Sequence, residues 1–203
     1  VAIGGNALKA QNFTSTTDSY NTAVGYNAGL SVTTGTSNTL IGGLAGDAIT
    51  TGTNNVALGA NALAANTSAS NNVALGASAG YSNATGTSNV FLGNGAGYST
   101  TGSGNTFVGG STSGAYYPAG YLVTSGANNT IIGGYNGNEG GLDIRTTNKN
   151  IVLSDGDGNP RGIFNSSGNF LVGRSVATTT SKIQSEEGIT IYYPTTNSYW
   201  DIY

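Results

Sequence analysis

Short apolar runs recur along the chain, each ending on a glycine that stands four positions after an asparagine. The pairs are Asn21/Gly25, Asn38/Gly42, Asn55/Gly59, Asn72/Gly76, Asn89/Gly93, Asn105/Gly109 and Asn129/Gly133. Val1-Ala2-Ile3-Gly4 matches the end of an earlier unit, so the marker glycines are spaced 21, 17, 17, 17, 17, 16 and 24 residues apart. Within Val56-Ala57-Leu58 the first and third residues share one face and Ala57 takes the other, as a strand requires. A small residue follows at Ala28, Ala45, Ala62, Ala79 and Ala96, and a second glycine at Gly29, Gly46, Gly80 and Gly97, with Leu63 the exception. No helical period runs through residues 1–138.

A unit of 16 or 17 residues is about 56 Å of extended chain. The marker glycine supplies one turn and Thr-Thr-Gly, as at Thr50-Thr51-Gly52, a second. That leaves room for two strands of about five residues, which is one flattened coil. The predicted fold is therefore all-β: a parallel β-solenoid or β-roll over 1–138, with about eight coils stacked over roughly 35–40 Å. Only the Val-x-Leu strand is reliably apolar, and one such strand per coil makes a thin core. A triangular single-chain β-helix wants branched aliphatic residues on all three sides, which this unit lacks. The expectation is a homotrimer, intertwined or side by side, with each chain giving its apolar strand to a shared axis.

Charge alters this picture only near the C-terminal third. From Ser19 to Asn138 the sole charged residue is Asp47, whereas twelve follow between Glu139 and Tyr203. The frame persists more weakly in Asn150-Ile151-Val152-Leu153-Ser154 and Asn169-Phe170-Leu171-Val172-Gly173, separated by the turn signal Asp155-Gly156-Asp157-Gly158-Asn159-Pro160. We divide the chain into a solenoid (1–138), a β-hairpin or transition module (139–180) and the start of a further β-rich segment (181–203), with strands at Ile189–Tyr193 and Tyr199–Tyr203. The pattern is already under way at Val1 and a strand is cut at Tyr203, so a piece of a longer protein is expected. The chain has 34 glycines, no cysteine, no histidine and a net charge of −3. Disulfides and thiolate metal sites are excluded. The absence of any basic cluster argues against nucleic acid, and no apolar run approaches the roughly 20 residues of a membrane span.

Asn21–Gly29 (Asn-Thr-Ala-Val-Gly-Tyr-Asn-Ala-Gly) and 71–80 (Asn-Asn-Val-Ala-Leu-Gly-Ala-Ser-Ala-Gly) resemble the head repeats of trimeric autotransporter adhesins, whose Val-Ala-Ile-Gly core Val1-Ala2-Ile3-Gly4 repeats as written. The coil here is longer than in those heads. Residues 150–162 and 164–174 are similar to a segment near the ends of tailed-phage tail fibres. The resemblance spans roughly 1–176. It implies a left-handed parallel β-roll trimer acting as a structural and adhesive fibre segment. It further implies attachment to a host cell-surface glycan or outer-membrane receptor and a place in a virion tail fibre, often followed by a C-terminal folding chaperone. The alternative owner is a bacterial extracellular adhesin or filament subunit.

Candidate chemistry is sparse. Without His or Cys, one chain cannot build a Ser-His-Asp or Cys-His arrangement, and 1–138 offers too few acids for a carboxylate pair. We expect no enzyme, no cofactor and no metal site. A depolymerase acting through Asp143, Asp155, Asp157, Glu186 or Glu187 at trimer edges is a minor alternative, and an ice-binding Thr array at Thr33-Thr34, Thr50-Thr51 and Thr100-Thr101 is another, broken at Ala64-Ala65. Asp155-x-Asp157-x-Asn159 opens like a Ca²⁺ loop. However, Pro160 stands where the sharp-turn Gly belongs and Ser166 where the bidentate Glu belongs, so a plain turn is the reading. Gly-Gly pairs such as Gly42-Gly43 lack the Lys-Ser/Thr of a phosphate loop. Tyr26, Tyr81 and Tyr98 fall at related coil positions. Tyr116, Tyr117, Tyr121 and Tyr135 cluster around the 24-residue spacing, where about seven inserted residues must bulge from the stack. These four are the candidate receptor-binding residues, with interface packing as the competing role.

Overall fold

The computed structural model describes residues 1–13, 18–110, 118–168 and 170–172, and the backbone of strands at 189–193 and 198–202. The described residues are all-β. Eight short strands follow one another, one per coil: β1 (Ala2–Ile3), β2 (Thr22–Val24), β3 (Thr39–Ile41), β4 (Val56–Leu58), β5 (Val73–Leu75), β6 (Val90–Leu92), β7 (Thr106–Val108) and β8 (Thr130–Ile132). Each pairs in parallel with the next, equivalent residues opposite one another, as in Val56↔Val73 and Leu58↔Leu75. A small antiparallel pair, β9 (Asn138–Glu139) and β10 (Leu142–Asp143), comes next. Strand β11 (Ile151–Ser154) then rejoins the ladder parallel to β8. Strands β12 (Pro160–Phe164) and β13 (Phe170–Val172) add antiparallel to it, completing an eleven-stranded sheet. Strands β14 (Ile189–Tyr193) and β15 (Ser198–Ile202) form a separate antiparallel hairpin.

Two features differ from the sequence expectation. The coil carries one three-residue strand, not two longer ones. The reason lies in the backbone: Leu44, Gly46 and Asn54 take positive φ within a single coil, and three-residue-apart bonds from Ala45 N–H to Gly42 O and from Ile49 N–H to Gly46 O fold that side into tight turns. The coils still bond to each other there, with Gly46 N–H donated to Ala62 O and Thr50 N–H to Thr67 O. The second difference is the boundary. The rise in charge near 138 does not end the parallel ladder, because the Asn150 unit keeps its register on β8 and reversal comes only at the Asp155–Asn159 turn.

The marker glycine cannot be replaced where another coil stacks on it; only in the last parallel unit does Ser154 take its place. At Gly42, φ is +133°, and a Cβ would stand 2.5 Å from the Gly59 carbonyl oxygen of the next coil. The stacking distance itself excludes a side chain.

The core is a narrow column. From the second coil on, the middle strand residue points inward: Ala23, Leu40, Ala57, Ala74, Phe91, Phe107, Ile131 and Val152 are all fully buried. They meet a column of alanines, Ala28 to Ala119, that is closed at its far end by Tyr135. The volume is shared between two walls. Where the strand offers Leu40 or Phe91, the opposite position is glycine, because a Cβ at Gly46 would lie 2.8 Å from a Leu40 methyl and one at Gly97 2.3 Å from the Phe91 ring. Where the strands offer only Ala57 and Ala74, the opposite residue is Leu63, held at φ 51°. A left-handed Leu costs about 1–2 kcal/mol, less than a void of that size among close-packed residues.

A second column binds the coils through polar groups. Asn21, Asn38, Asn55, Asn72, Asn89, Asn105, Asn129 and Asn150 are buried. The Asn55 backbone N–H is donated to Asn38 Oδ1 (3.0 Å), and the Asn72 N–H to Asn55 Oδ1 (3.0 Å). From Asn21 to Asn129 each side-chain amide also reaches across its own coil, as Asn55 Nδ2 does to Ala69 O at 2.9 Å. The position needs an acceptor and a donor in one short planar group, which asparagine supplies without a buried charge.

Irregular spacings leave this frame intact. The 16-residue coil drops one exposed residue, that matching Thr51 and Thr85: Asn89 Nδ2 still donates to Gly102 O as Asn38 Nδ2 does to Gly52 O. The 24-residue coil closes normally when Ala119 N–H is donated to Gly109 O. Its seven extra residues, 111–117, lie outside the described residues.

Candidate functional site: the outward face of the ladder

Because strand side chains alternate, burying the middle residue turns the first and third outward. The first residues form one row: Thr22, Thr39, Val56, Val73, Val90, Thr106, Thr130 and Ile151. The third form a second: Ile3, Val24, Ile41, Leu58, Leu75, Leu92, Val108, Ile132 and Leu153. Parallel in-register pairing superposes like on like, so both rows run straight along the sheet. Neither row contains a charged residue. Ile3, Leu58, Leu92, Ile132, Ile151 and Leu153 are all exposed, Ile132 at 49% and Ile3 at 59%.

The stripe extends beyond the parallel ladder. Phe164 pairs with Ile151 on one side and Phe170 on the other. The two exposed rings stack with centroids 4.4 Å apart. Eleven strands spaced about 4.8 Å give a face of about 48 Å. At about 10 Å wide it presents on the order of 500 Å² of uncharged surface, aliphatic or aromatic except at Thr22, Thr39, Thr106 and Thr130, in the range of a monomer's largest and often functional patch. The Val-x-Leu alternation foretold this face. The aromatic pair at its end was missed; its signal was two phenylalanines six residues apart around the Asn165–Gly168 turn.

The tyrosines do not form one cluster. Tyr116 and Tyr117 lie outside the described residues. Tyr121 stacks on Tyr98 (4.9 Å between centroids), which stacks on Tyr81 (4.9 Å, 4° between planes). The three occupy the same position of consecutive coils, as the bonds from Ser82 N–H to Tyr98 O and from Ser99 N–H to Tyr121 O show. Ring spacing therefore equals coil rise, and the partly exposed stack presents ring edges. Tyr26, grouped with Tyr81 and Tyr98 in the sequence, stands at another position and is 64% exposed. Tyr135 is a correction: its ring is fully buried and its hydroxyl donates to Leu142 O at 2.7 Å. Burial pushes its phenol well above the usual value, and the Asp143 charge adds to this. It closes the solenoid core and has no surface to offer a receptor.

Of the candidate acids, Asp143 and Asp155 sit in local ion pairs, and Glu186 and Glu187 lie outside the described residues. Asp155 Oδ1 accepts the N–H groups of Asp157 (3.1 Å) and Asn159 (2.9 Å), and its Oδ2 accepts from Arg161. The Arg161 guanidinium holds this carboxyl below its usual range. The carboxylate thus stitches its own turn. Asp143 pairs with Arg145 at 2.7 Å and is likewise lowered. Asp47, partly desolvated, is raised. Among the described residues no three His, Cys, Asp or Glu converge as a metal site. Threonines of the would-be ice array turn their hydroxyls onto backbone: Thr33 Oγ1 donates to Thr50 O, Thr50 Oγ1 to Thr67 O and Thr100 Oγ1 to Val123 O.

Comparison of the chain with models of protein families, with curated proteins and with solved structures finds no match.

Proposed function

We propose that this chain is a structural and adhesive fibre segment: three copies stand side by side, with their outward sheet faces on a common axis and their turn sides toward solvent. The carrying observation is the straight, uncharged double row from Ile3 to Leu153, continued by Phe164 and Phe170. An uncharged face that repeats once per coil along the whole ladder fits a partner of equal length and equal repeat, and another copy meets both conditions. Cyclic symmetry about an axis parallel to the solenoid brings equivalent coils together at each level. The thin, alanine-lined interior supports the same reading, since a chain with little core of its own gains much by burying a second apolar surface.

A long trimeric rod suits a phage tail fibre that reaches a host-surface glycan or outer-membrane receptor. A bacterial surface adhesin of the same build is the second reading, favoured by the similarity of 21–29 and 71–80 to adhesin heads. Fluorescently labelled chain incubated with bacterial cells and with a glycan array tests the adhesive role. Saturable binding to cells, reduced when surface polysaccharide is stripped, is expected of a glycan-directed fibre. Binding to neither cells nor glycans at micromolar chain contradicts the adhesive half of the proposal.

A further inference from the structure

One column of the core changes character halfway along. At equivalent positions in successive coils stand Val32, Ile49, Asn66, Asn83, Thr100, Val123 and Ile144, all buried. Four are aliphatic, and the three between them are polar. Thr100 is satisfied, donating its hydroxyl to Val123 O at 3.1 Å, and Asn83 Nδ2 donates to Gly86 O at 3.0 Å. Three atoms remain: Asn66 Nδ2, Asn66 Oδ1 and Asn83 Oδ1 have no hydrogen-bond partner among the described residues and no solvent contact. Asn66 and Asn83 are both 0% exposed.

Buried amides left unpaired are rare because desolvation goes uncompensated. Adjacent coils can pair amides directly, as Asn55 Nδ2 does with Asn38 Oδ1 at 3.2 Å, but Asn66 and Asn83 make no such bond, and the coils themselves are about 4.8 Å apart. A single water making two bonds of about 2.8 Å at a tetrahedral angle spans about 4.6 Å, close to the coil rise. The strands of these two coils contribute only Ala57 and Ala74 where neighbours carry Leu40 and Phe91.

We propose that the solenoid interior binds ordered water between the fourth and fifth marked coils, with one molecule accepting from Asn66 Nδ2 and donating to Asn83 Oδ1. A second molecule, or the second donor of the first, meets Asn66 Oδ1. The site discriminates for a small neutral ligand that both donates and accepts. Asn66 offers one donor and one acceptor and Asn83 an acceptor, with no charge nearby in the column. The water would make about three hydrogen bonds, the usual number for a buried one.

The test is a crystal structure of the whole chain at a resolution that places ordered water, paired with detection of long-lived water by magnetic cross-relaxation in solution. The expected result is a density peak about 2.7–3.2 Å from Asn66 Nδ2 and Asn83 Oδ1, and a slow water signal at that site. An N66I/N83V variant, using residues the same column carries elsewhere, should lose both. An Asn66 amide turned directly onto Asn83 with no intervening density overturns the proposal, as does density that persists unchanged in the double variant. If the variant does not fold, the wild-type density alone decides.

Discussion

The asparagine column makes a demanding prediction at Asn55. Replacing it with Leu preserves size but removes the acceptor for Asn72 N–H and the donor to Ala69 O. Both groups are then buried without a partner. Two lesser bonds also go, between Asn55 Nδ2 and Asn38 Oδ1 and between Asn72 Nδ2 and Asn55 Oδ1. Their surviving ends keep other partners: Asn38 Oδ1 still accepts Asn55 N–H, and Asn72 Nδ2 still donates to Gly86 O. At about 1–3 kcal/mol for each stranded group, Asn55→Leu should cost about 2–6 kcal/mol. Urea unfolding followed by far-ultraviolet circular dichroism, at one protein concentration throughout, measures it. The control is Asn71→Ser, an exposed left-handed position one residue before the column that other coils fill with Ser37 and Ser88; it should change stability by less than about 0.5 kcal/mol. Asn55→Asp adds a sign. The buried carboxylate faces Asn38 Oδ1 and Ala69 O, so its folded pKa must rise. The variant is then closest to wild type below about pH 4, the unfolded value, and weakens as pH climbs through the raised folded value. A loss below about 1 kcal/mol for Asn55→Leu would refute the view that this column holds the coils together.

Three further outcomes follow from the packing and the charges. Gly97→Ala forces a Cβ to 2.3 Å from the Phe91 ring at φ +63°, so it should cost about 1–3 kcal/mol by chemical denaturation, and a smaller residue at Phe91 should recover part of that loss. Tyr98→Ala removes the middle ring of the three-ring stack, and both contacts go at once; the expected loss is about 1–2 kcal/mol with no change in secondary structure, read by thermal melting. Burial raises the folded pKa of Asp47, so ionisation there opposes folding as pH rises through that value. Asp47→Asn should therefore raise the melting temperature at pH 7 and leave it unchanged near pH 3.

Much of the fold was legible because its period is written in residues with tight structural tasks. The marker Gly is forced by a carbonyl 2.5 Å from its missing Cβ, and the Asn by a two-ended hydrogen-bonding task, so both recur even where spacing varies. The coil's second strand was misread because contour length alone left room for it, and length says nothing about left-handed residues such as Leu44. The division of volume between Leu63 and Ala57 was equally hidden, since each looks like a lapse in the pattern until the two walls face each other. Of the candidate tyrosines, Tyr135 failed because sequence proximity to the insertion does not reveal that its coil position is the alanine column. Tyr121 joins Tyr81 and Tyr98 only when seven residues are subtracted from its coil.

The central claim is that the outward aliphatic face meets two further copies of the chain. Sedimentation equilibrium across a hundredfold concentration range tests it most directly. The chain has a mass of 20.2 kDa; the account predicts a species of about three times that mass, and its collapse to single chains when Val73 and Leu75, whose side chains point outward from the middle of the ladder, are both changed to Asp. A wild-type chain that sediments at the mass of one copy over the whole range, folded and with its aliphatic rows bare to solvent, would contradict it.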